Sequence, residues 1–528
     1  MNEVNIYAQD DWRISDAVTL NLGLRYEYVS APSEKEDRID YVFGADSDNI
    51  EPRLGIAYAP NWETGFLRTI SGGPGGIAFH AGYGIYDGRI FQSVFSQGGA
   101  NVRFNPPDAL YRTLTTFPAN LNVSDPTLGF VFTPGPQVGR VSLTLPSPDL
   151  EMPSTQKWNL SMERLLPWSS TLKVTYQGNY NNKRLKYALG NLPQSPLEGP
   201  ITVVDHPNNA PAAGFPDLRG QVINAVAADA QCAGTGFFGL ATTAACPVAV
   251  PIANNEISGR VPRTNERRPD PLYLTNLLIS NDAESWYDGV EFSWDKRMSH
   301  GLQFQLAYTY SNSEDTTSEA TFVGAGDSNQ QGPNSSYARA KSRFHTPHRF
   351  TLNGSYRLPF FANNTGFVGQ VFGGWMLSGV VRMASGTPFT VTTTAVDVDF
   401  DGFAEARPVL LDPSVLGAHV DDRETAQTVL PRSAFRAVTF GDTVEDLVPR
   451  NAFYGDNLRN VDLALSKVFR LPWSGDDLSV RIEGFNVFNQ VQFGFPITDL
   501  NSPTFGAITG PATSYSARVL QLVMRYRY

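Results

Sequence analysis

The residues able to do chemistry are few, and their spacings exclude more than they propose. DVDFDG places Asp397, Asp399 and Asp401 at positions 1, 3 and 5 of a calcium loop, with Gly402 at the sharp sixth position. Glu405 falls at position 9, but Pro408 stands where an EF-hand needs its bidentate glutamate. The pattern is not an EF-hand. It fits a weak loop calcium site, or a solvated acidic turn. HTPH, with His345 and His348, lacks the HExxH spacing, contains a proline and has no third ligand nearby. A zinc or haem site and an interfacial histidine pair both remain open for it. SGGPGG at 71–76 lacks the Lys-Ser/Thr of a phosphate loop and reads as a turn. No Ser/His/Asp or Cys/His arrangement stands out among six scattered histidines, so no enzyme is expected, and no cofactor beyond that loop calcium.

The remaining charges recur at intervals of two: Arg25 with Glu27, Arg481 with Glu483, and Glu291 with Asp295 and Arg297; Arg525 has the same setting near the end. Residues two apart share one face of a strand and scatter around a helix. The segments around them alternate. VTLNLGLRYEY (18–28) puts Val18, Leu20, Leu22, Leu24, Tyr26 and Tyr28 on one parity, with Thr19, Asn21, Gly23, Arg25 and Glu27 on the other. LKVTYQGNY, LQFQLAYTY, RFTLNGSYRL and VLQLVMRYRY repeat the pattern. One face of each strand suits oil and the other suits charged water.

A soluble β-sandwich also alternates. Against it, the strands are long and Tyr and Trp gather at their ends, as in WNLSMERLLPW and WYDGVEFSW. An eleven-residue strand rises about 36 Å, or about 25 Å tilted, which matches the apolar band of an outer-membrane barrel. No eighteen-residue apolar run is present, which excludes a transmembrane helix but not a barrel. Of the 528 residues only 18% are charged and 12% are aromatic, and the net charge of −11 argues against nucleic acid. Met1 is followed by no basic region and no apolar core, so no signal peptide is expected. Cys232 and Cys246 lie close together in a Gly/Ala/Pro-rich stretch. A short-loop disulfide is expected there, two idle thiols being the alternative.

The fold expected is an all-β antiparallel transmembrane barrel with thirteen strands near 3–13, 17–29, 50–59, 76–87, 154–166, 170–180, 284–298, 301–312, 346–358, 370–384, 457–470, 477–489 and 514–528. Mostly short links alternate with long polar ones at 30–49, 88–152, 181–283, 314–344, 385–456 and 490–513. Short turns belong in the periplasm and long loops outside. A complete barrel has an even strand count and both termini in the periplasm. Thirteen strands starting outside therefore predict the C-terminal portion of a larger barrel, 1–528 being one partial barrel domain. Lumen-facing positions include Arg25, Glu27, Glu291, Arg481, Glu483 and Arg525. Leu522, Met524, Tyr526 and Tyr528 form an alternating terminal aromatic pattern, expected to be read by the barrel-assembly machinery through edge-strand addition.

The segments NIYAQDDWRISDAVTLNLGLRYEY (5–28), EPRLGIAYAP (51–60), AGYGIYDGR (81–89) and QKWNLSMERLLPWSSTLKVTYQGN (156–179) resemble the C-terminal barrel of Oar-like TonB-dependent receptors. So do WYDGVEFSWDKRMSHGLQFQLAYTYS (286–311), FHTPHRFTLNGSYRLPF (344–360), GGWMLSGVVRMASGTPF (373–389), RIEGFNVFNQVQFG (481–494), LNSPTFGAIT (500–509) and ARVLQLVMRYRY (517–528). This family carries a carboxypeptidase-regulatory-like domain at its N-terminus. The resemblance implies a 22-stranded parent with an internal plug, worked by the TonB complex and taking up a bulky ligand whose identity the loops do not name. The family's plug, TonB box and signal peptide have no counterpart here. The alternative function is surface adhesion or protein secretion of the Oar type, without import. Outer-membrane lipid is the expected surrounding of the strands.

Overall fold

The computed structural model describes residues 2–33, 43–90, 144–191, 200–202, 222–224, 269, 276–318, 339–361, 364, 366–395, 406–420, 430–439, 442–471, 475–513 and 516–528. Strict alternation forms strands because only a period of two keeps one set of side chains on one face. Thirteen strands follow one another in chain order in a single antiparallel sheet. They are β1 (Glu3–Arg13), β2 (Val18–Val29), β3 (Asp46–Tyr58), β4 (Ile77–Asp87), β5 (Ser154–Leu166), β6 (Ser170–Gly190) and β7 (Asn276–Ser299). Then come β8 (Leu302–Asp315), β9 (His348–Arg357), β10 (Met376–Ala384), β11 (Leu458–Arg470), β12 (Asp477–Phe485) and β13 (Val519–Arg527). Among the described residues, no pairing joins β1 to β13.

The register keeps the two faces separate over the whole sheet. Leu20, Leu22, Leu24 and Tyr26 lie opposite Ile56, Leu54, Pro52 and Ile50, while Asn21, Gly23 and Arg25 face Gly55, Arg53 and Glu51. At the other edge Leu478, Val480 and Ile482 pair with Tyr526, Met524 and Leu522. The apolar face is left bare: Leu24, Leu54, Leu160, Ile482 and Leu522 are all exposed. A soluble sandwich would have buried these side chains against a second sheet.

Three differences from the sequence expectation have local causes. β3 begins at Asp46 and not at 50, because its first residues still pair with β2 across a bulge between Glu27 and Val29. β6 and β7 run past the expected rim to Gly190 and back to Asn276, pairing as a ribbon beyond the band, so the 181–283 loop is shorter than expected. Two of the short-turn connections are not plain turns. They hold α1 (Gly65–Ser71), which ends at the left-handed Gly72, and α2 (Phe367–Phe372), where the alternation of β10 was expected to reach 370.

At the long-loop end, segments expected to be polar connections have a hydrophobic core of their own. Phe389, Val391, Val420, Leu430, Phe435, Val448, Phe453, Leu500 and Phe505 bury one another between the β10–β11 and β12–β13 connections. Thr392 and Thr498, and Leu500 and Thr392, tie the two connections by backbone hydrogen bonds of 2.9 and 2.8 Å. Edge-to-face packing of Phe435 against Phe453 and Phe505, at 5.9 and 5.6 Å, fills the middle. A second small cluster, Phe43, Ile90, Leu150, Leu185 and Ile279, closes the tops of β3 to β7.

Candidate functional site

On the sheet's polar face Arg25 and Glu27, and Arg481 and Glu483, are paired. Arg25 bonds Glu27 on its own strand and lies 3.8 Å from Glu51 on β3, which in turn meets Arg53 at 2.6 Å. The Arg53 guanidinium sits over the Tyr86 ring at 4.7 Å, with Lys157 on the same ring at 5.4 Å. Arg481 meets Glu483 at 2.5 Å, and Arg382 of β10 meets Asp462 of β11 at 2.9 Å. Asp295, Arg297, Asn353, Asp462, Arg481 and Glu483 line one recess of about 830 Å3 on this face. Glu291 and Arg525 belong to the same parity, opposite Thr175 and Ser479. Glu51, Arg53, Arg382 and Asp462 were missed in the sequence. The first two share the interval of two that marked Arg25 and Glu27, so that signal was present.

Glu27, Glu51, Asp462 and Glu483 are each met by a guanidinium, so this face offers paired charge to whatever it surrounds. Among the described residues no three His, Cys, Asp or Glu side chains gather as a metal would require. Asp397, Asp399 and Asp401, the candidate calcium loop, lie outside the described residues, as do Cys232 and Cys246.

Above the wall, the folded loops are fixed to the barrel by a buried ion pair. Arg450 reaches Asp315 at the top of β8 at 2.5 Å, and both side chains are almost wholly buried. The same guanidinium reaches Ser318 Oγ at 3.1 Å and the Asp315 carbonyl at 2.7 Å. Asn451 donates to the Lys341 carbonyl at 2.8 Å. His345 and His348 take different tasks. His348 Nδ1 bonds the Tyr308 hydroxyl at 2.8 Å on the apolar face. His345 is buried under the loops, its Nδ1 accepting the Ser313 N–H at 3.2 Å and its ring 6.2 Å from Tyr454. Burial, helped by the nearby Lys341 and opposed by Glu314, pushes the His345 imidazole down to about 4. It is therefore neutral at pH 7, as its acceptor role demands.

Leu522, Met524 and Tyr526 stand exposed on β13, with Tyr528 beyond them and its ring 6.4 Å from that of Tyr526. Among the described residues β13 pairs with β12.

A long antiparallel wall, apolar outside and charged within, with short turns at one end and folded loops at the other, defines a membrane-spanning barrel protein. The family described as outer membrane beta barrel domain matches residues 1–47 and 40–521, and the chain belongs to it. It is a protein of the bacterial outer membrane. Among solved structures it is similar to the outer membrane transporter YddB from Escherichia coli, at 11% identity and a TM-score of 0.42, over 99% of this chain and 45% of that one. The FrpB iron transporter from Neisseria meningitidis matches at 9% identity and a TM-score of 0.40, over 98% and 44%. The siderophore receptor PiuA from Acinetobacter baumannii matches at 10% and 0.39, over 99% and 42%. The chain thus spans less than half the length of these proteins. No curated protein matches it.

Proposed function

We propose that this chain is barrel wall from a TonB-dependent receptor and transporter that takes up a bulky solute across the outer membrane. The observation that carries this reading is the single sheet of thirteen consecutive antiparallel strands with a charged face that holds a recess of about 830 Å3. About eight strands already make a barrel that side chains can fill; sheets of this size enclose a lumen that must be left as water or plugged. In this reading further strands and a plug complete the wall, and the paired charges Arg25–Glu27–Glu51–Arg53 and Arg382–Asp462 grip the plug or line the path around it. The short turns face the periplasm, where the TonB complex works through the plug, and the folded loops face outward. The assembly machinery reads Leu522, Met524, Tyr526 and Tyr528 at β13. The order of segments resembling Oar-like receptors supports the same assignment.

The coding region upstream of Met1, read together with the mass of the mature protein extracted from outer membranes, tests the proposal. A plug and a TonB box in the same reading frame are expected. Loss of solute uptake on removing TonB would complete the case. A mature protein with a barrel and no plug would overturn import and favour Oar-type display or export.

A further inference from the structure

Near the short-turn ends of the strands the hydrocarbon-facing parity holds three cations, Arg164 on β5, Lys296 on β7 and Lys467 on β11; Arg459, opposite Met383, stands on it at the long-loop end. A charge on this face is costly at mid-membrane and tolerable only where it can reach the rim. Each of the three at the short-turn end reaches a backbone carbonyl in a turn. Arg164 donates to the Thr69 carbonyl in the last turn of α1 at 3.3 Å. Lys467 donates to the Gly369 carbonyl at 3.4 Å and to that of Gly373, which closes α2. Lys296 donates to the Trp168 carbonyl at 2.7 Å. Carbonyls left free at a helix C-terminus attract a cation. Lys467 is buried against the Phe469 and Trp375 rings, at 4.9 and 5.9 Å.

The helices so held turn apolar side chains away from the protein. In α1, Phe66, Leu67 and Ile70 share one face and are exposed, Phe66 at 76%, while Arg68 lies opposite. In α2, Phe367, at 75%, Val368 and Phe372 are exposed, with Gln370 on the other side. Phe360 and Phe361 add to this patch, Phe361 lying 6.0 Å from the Phe372 ring. Both patches continue the bare apolar face of the sheet beyond its short-turn end, where water alone would leave them unsatisfied.

We propose that α1 and α2 are interfacial anchors that lie in the phospholipid leaflet at the short-turn side. Arg164 and Lys467 act as clamps, holding each helix against the wall with its apolar face toward the acyl chains. The occupant is phospholipid because the patches are continuous with the membrane-facing surface of an outer-membrane barrel. The proposal takes only the choice of leaflet from the reading of the short turns as periplasmic.

The test places a photo-activatable diazirine phenylalanine at Phe66, Phe367, Gln370 or Leu22 in the full-length protein in its native outer membrane, with adducts identified by mass spectrometry. Phospholipid adducts are expected at Phe66, Phe367 and the mid-wall Leu22, and none at Gln370. Arg164→Gln should remove most of the adduct at Phe66 and spare that at Phe367; Lys467→Gln should do the reverse. Water or periplasmic-protein adducts at Phe66 and Phe367, with lipid still found at Leu22, would overturn the anchors. Lipopolysaccharide adducts there would overturn the leaflet, and hence the orientation. Unchanged yields in both variants would overturn the clamps.

Discussion

Acidification should loosen the outer loops through one side chain. His345 is neutral in the folded protein because its Nδ1 must accept the Ser313 N–H and because it is buried under Tyr454. Its folded value is about 4 against an ordinary 6.5. A base held below its unfolded value stabilises the fold above the unfolded pKa, and that contribution drains away as pH falls from 6.5 to 4. Between pH 7 and pH 5 the loss is about 2 kcal/mol, and it levels off below pH 4 near 3 kcal/mol. The element it biases is the docking of the 385–456 connection, since Tyr454 belongs to that connection and stacks at 4.7 Å on His419 within it. Hydrogen exchange on the protein in outer-membrane vesicles reads this directly. After correction for the chemical exchange rate, amides such as those of Val420 and Tyr454 should open about thirtyfold more often at pH 5 than at pH 7. Amides of β11 should not change. His345→Gln, which keeps an acceptor without a titrating ring, should flatten the response. An equal pH response in His345→Gln, or none in the native protein, would refute the assignment.

Arg450→Ala leaves Asp315 buried without its partner and should cost the loop docking about 3–5 kcal/mol, read as new surface cleavage by trypsin on intact cells. The double change Arg450→Leu with Asp315→Leu should recover much of it, because no uncompensated charge then remains. Phe453→Ala empties the centre of the loop core and should cost about 3–5 kcal/mol there, while the strand content measured by circular dichroism stays unchanged. Leu22→Lys places a charge toward hydrocarbon and should destabilise the barrel by about 2–4 kcal/mol, lowering the amount assembled in the membrane. Asn21→Lys, one residue away on the polar face and within reach of Asp11, should assemble normally.

The wall was legible because its code has one letter per residue. Every second side chain meets hydrocarbon, so LKVTYQGNY or VLQLVMRYRY declares both strand and face without reference to any other part of the chain. The same code named Arg25, Glu27, Arg481 and Glu483 as inward. It could not say that Glu51 and Arg53 complete the first pair, since that depends on register across β2 and β3. It also could not show that the loops are folded. Phe389, Leu430, Phe453 and Phe505 are scattered over more than a hundred residues of Pro-, Gly- and Asp-rich chain and have no period; only the closure of two connections onto each other assembles them. Composition read these segments as polar links.

Arg164, Lys296 and Lys467 mark where the code breaks by design. Read by parity alone, each is a charge pointed at oil, and a strict reading would count each as evidence against the membrane. Their positions resolve the conflict. All three lie near the short-turn rim, and all three reach carbonyls in a turn or at a helix end. Arg459 breaks the same parity at the long-loop end, opposite Met383, and Asp10 breaks it opposite Leu22. What sets Arg164, Lys296 and Lys467 apart is that each reaches a turn carbonyl at the short-turn end. Those contacts mark that end of the wall independently of which side of the membrane it faces.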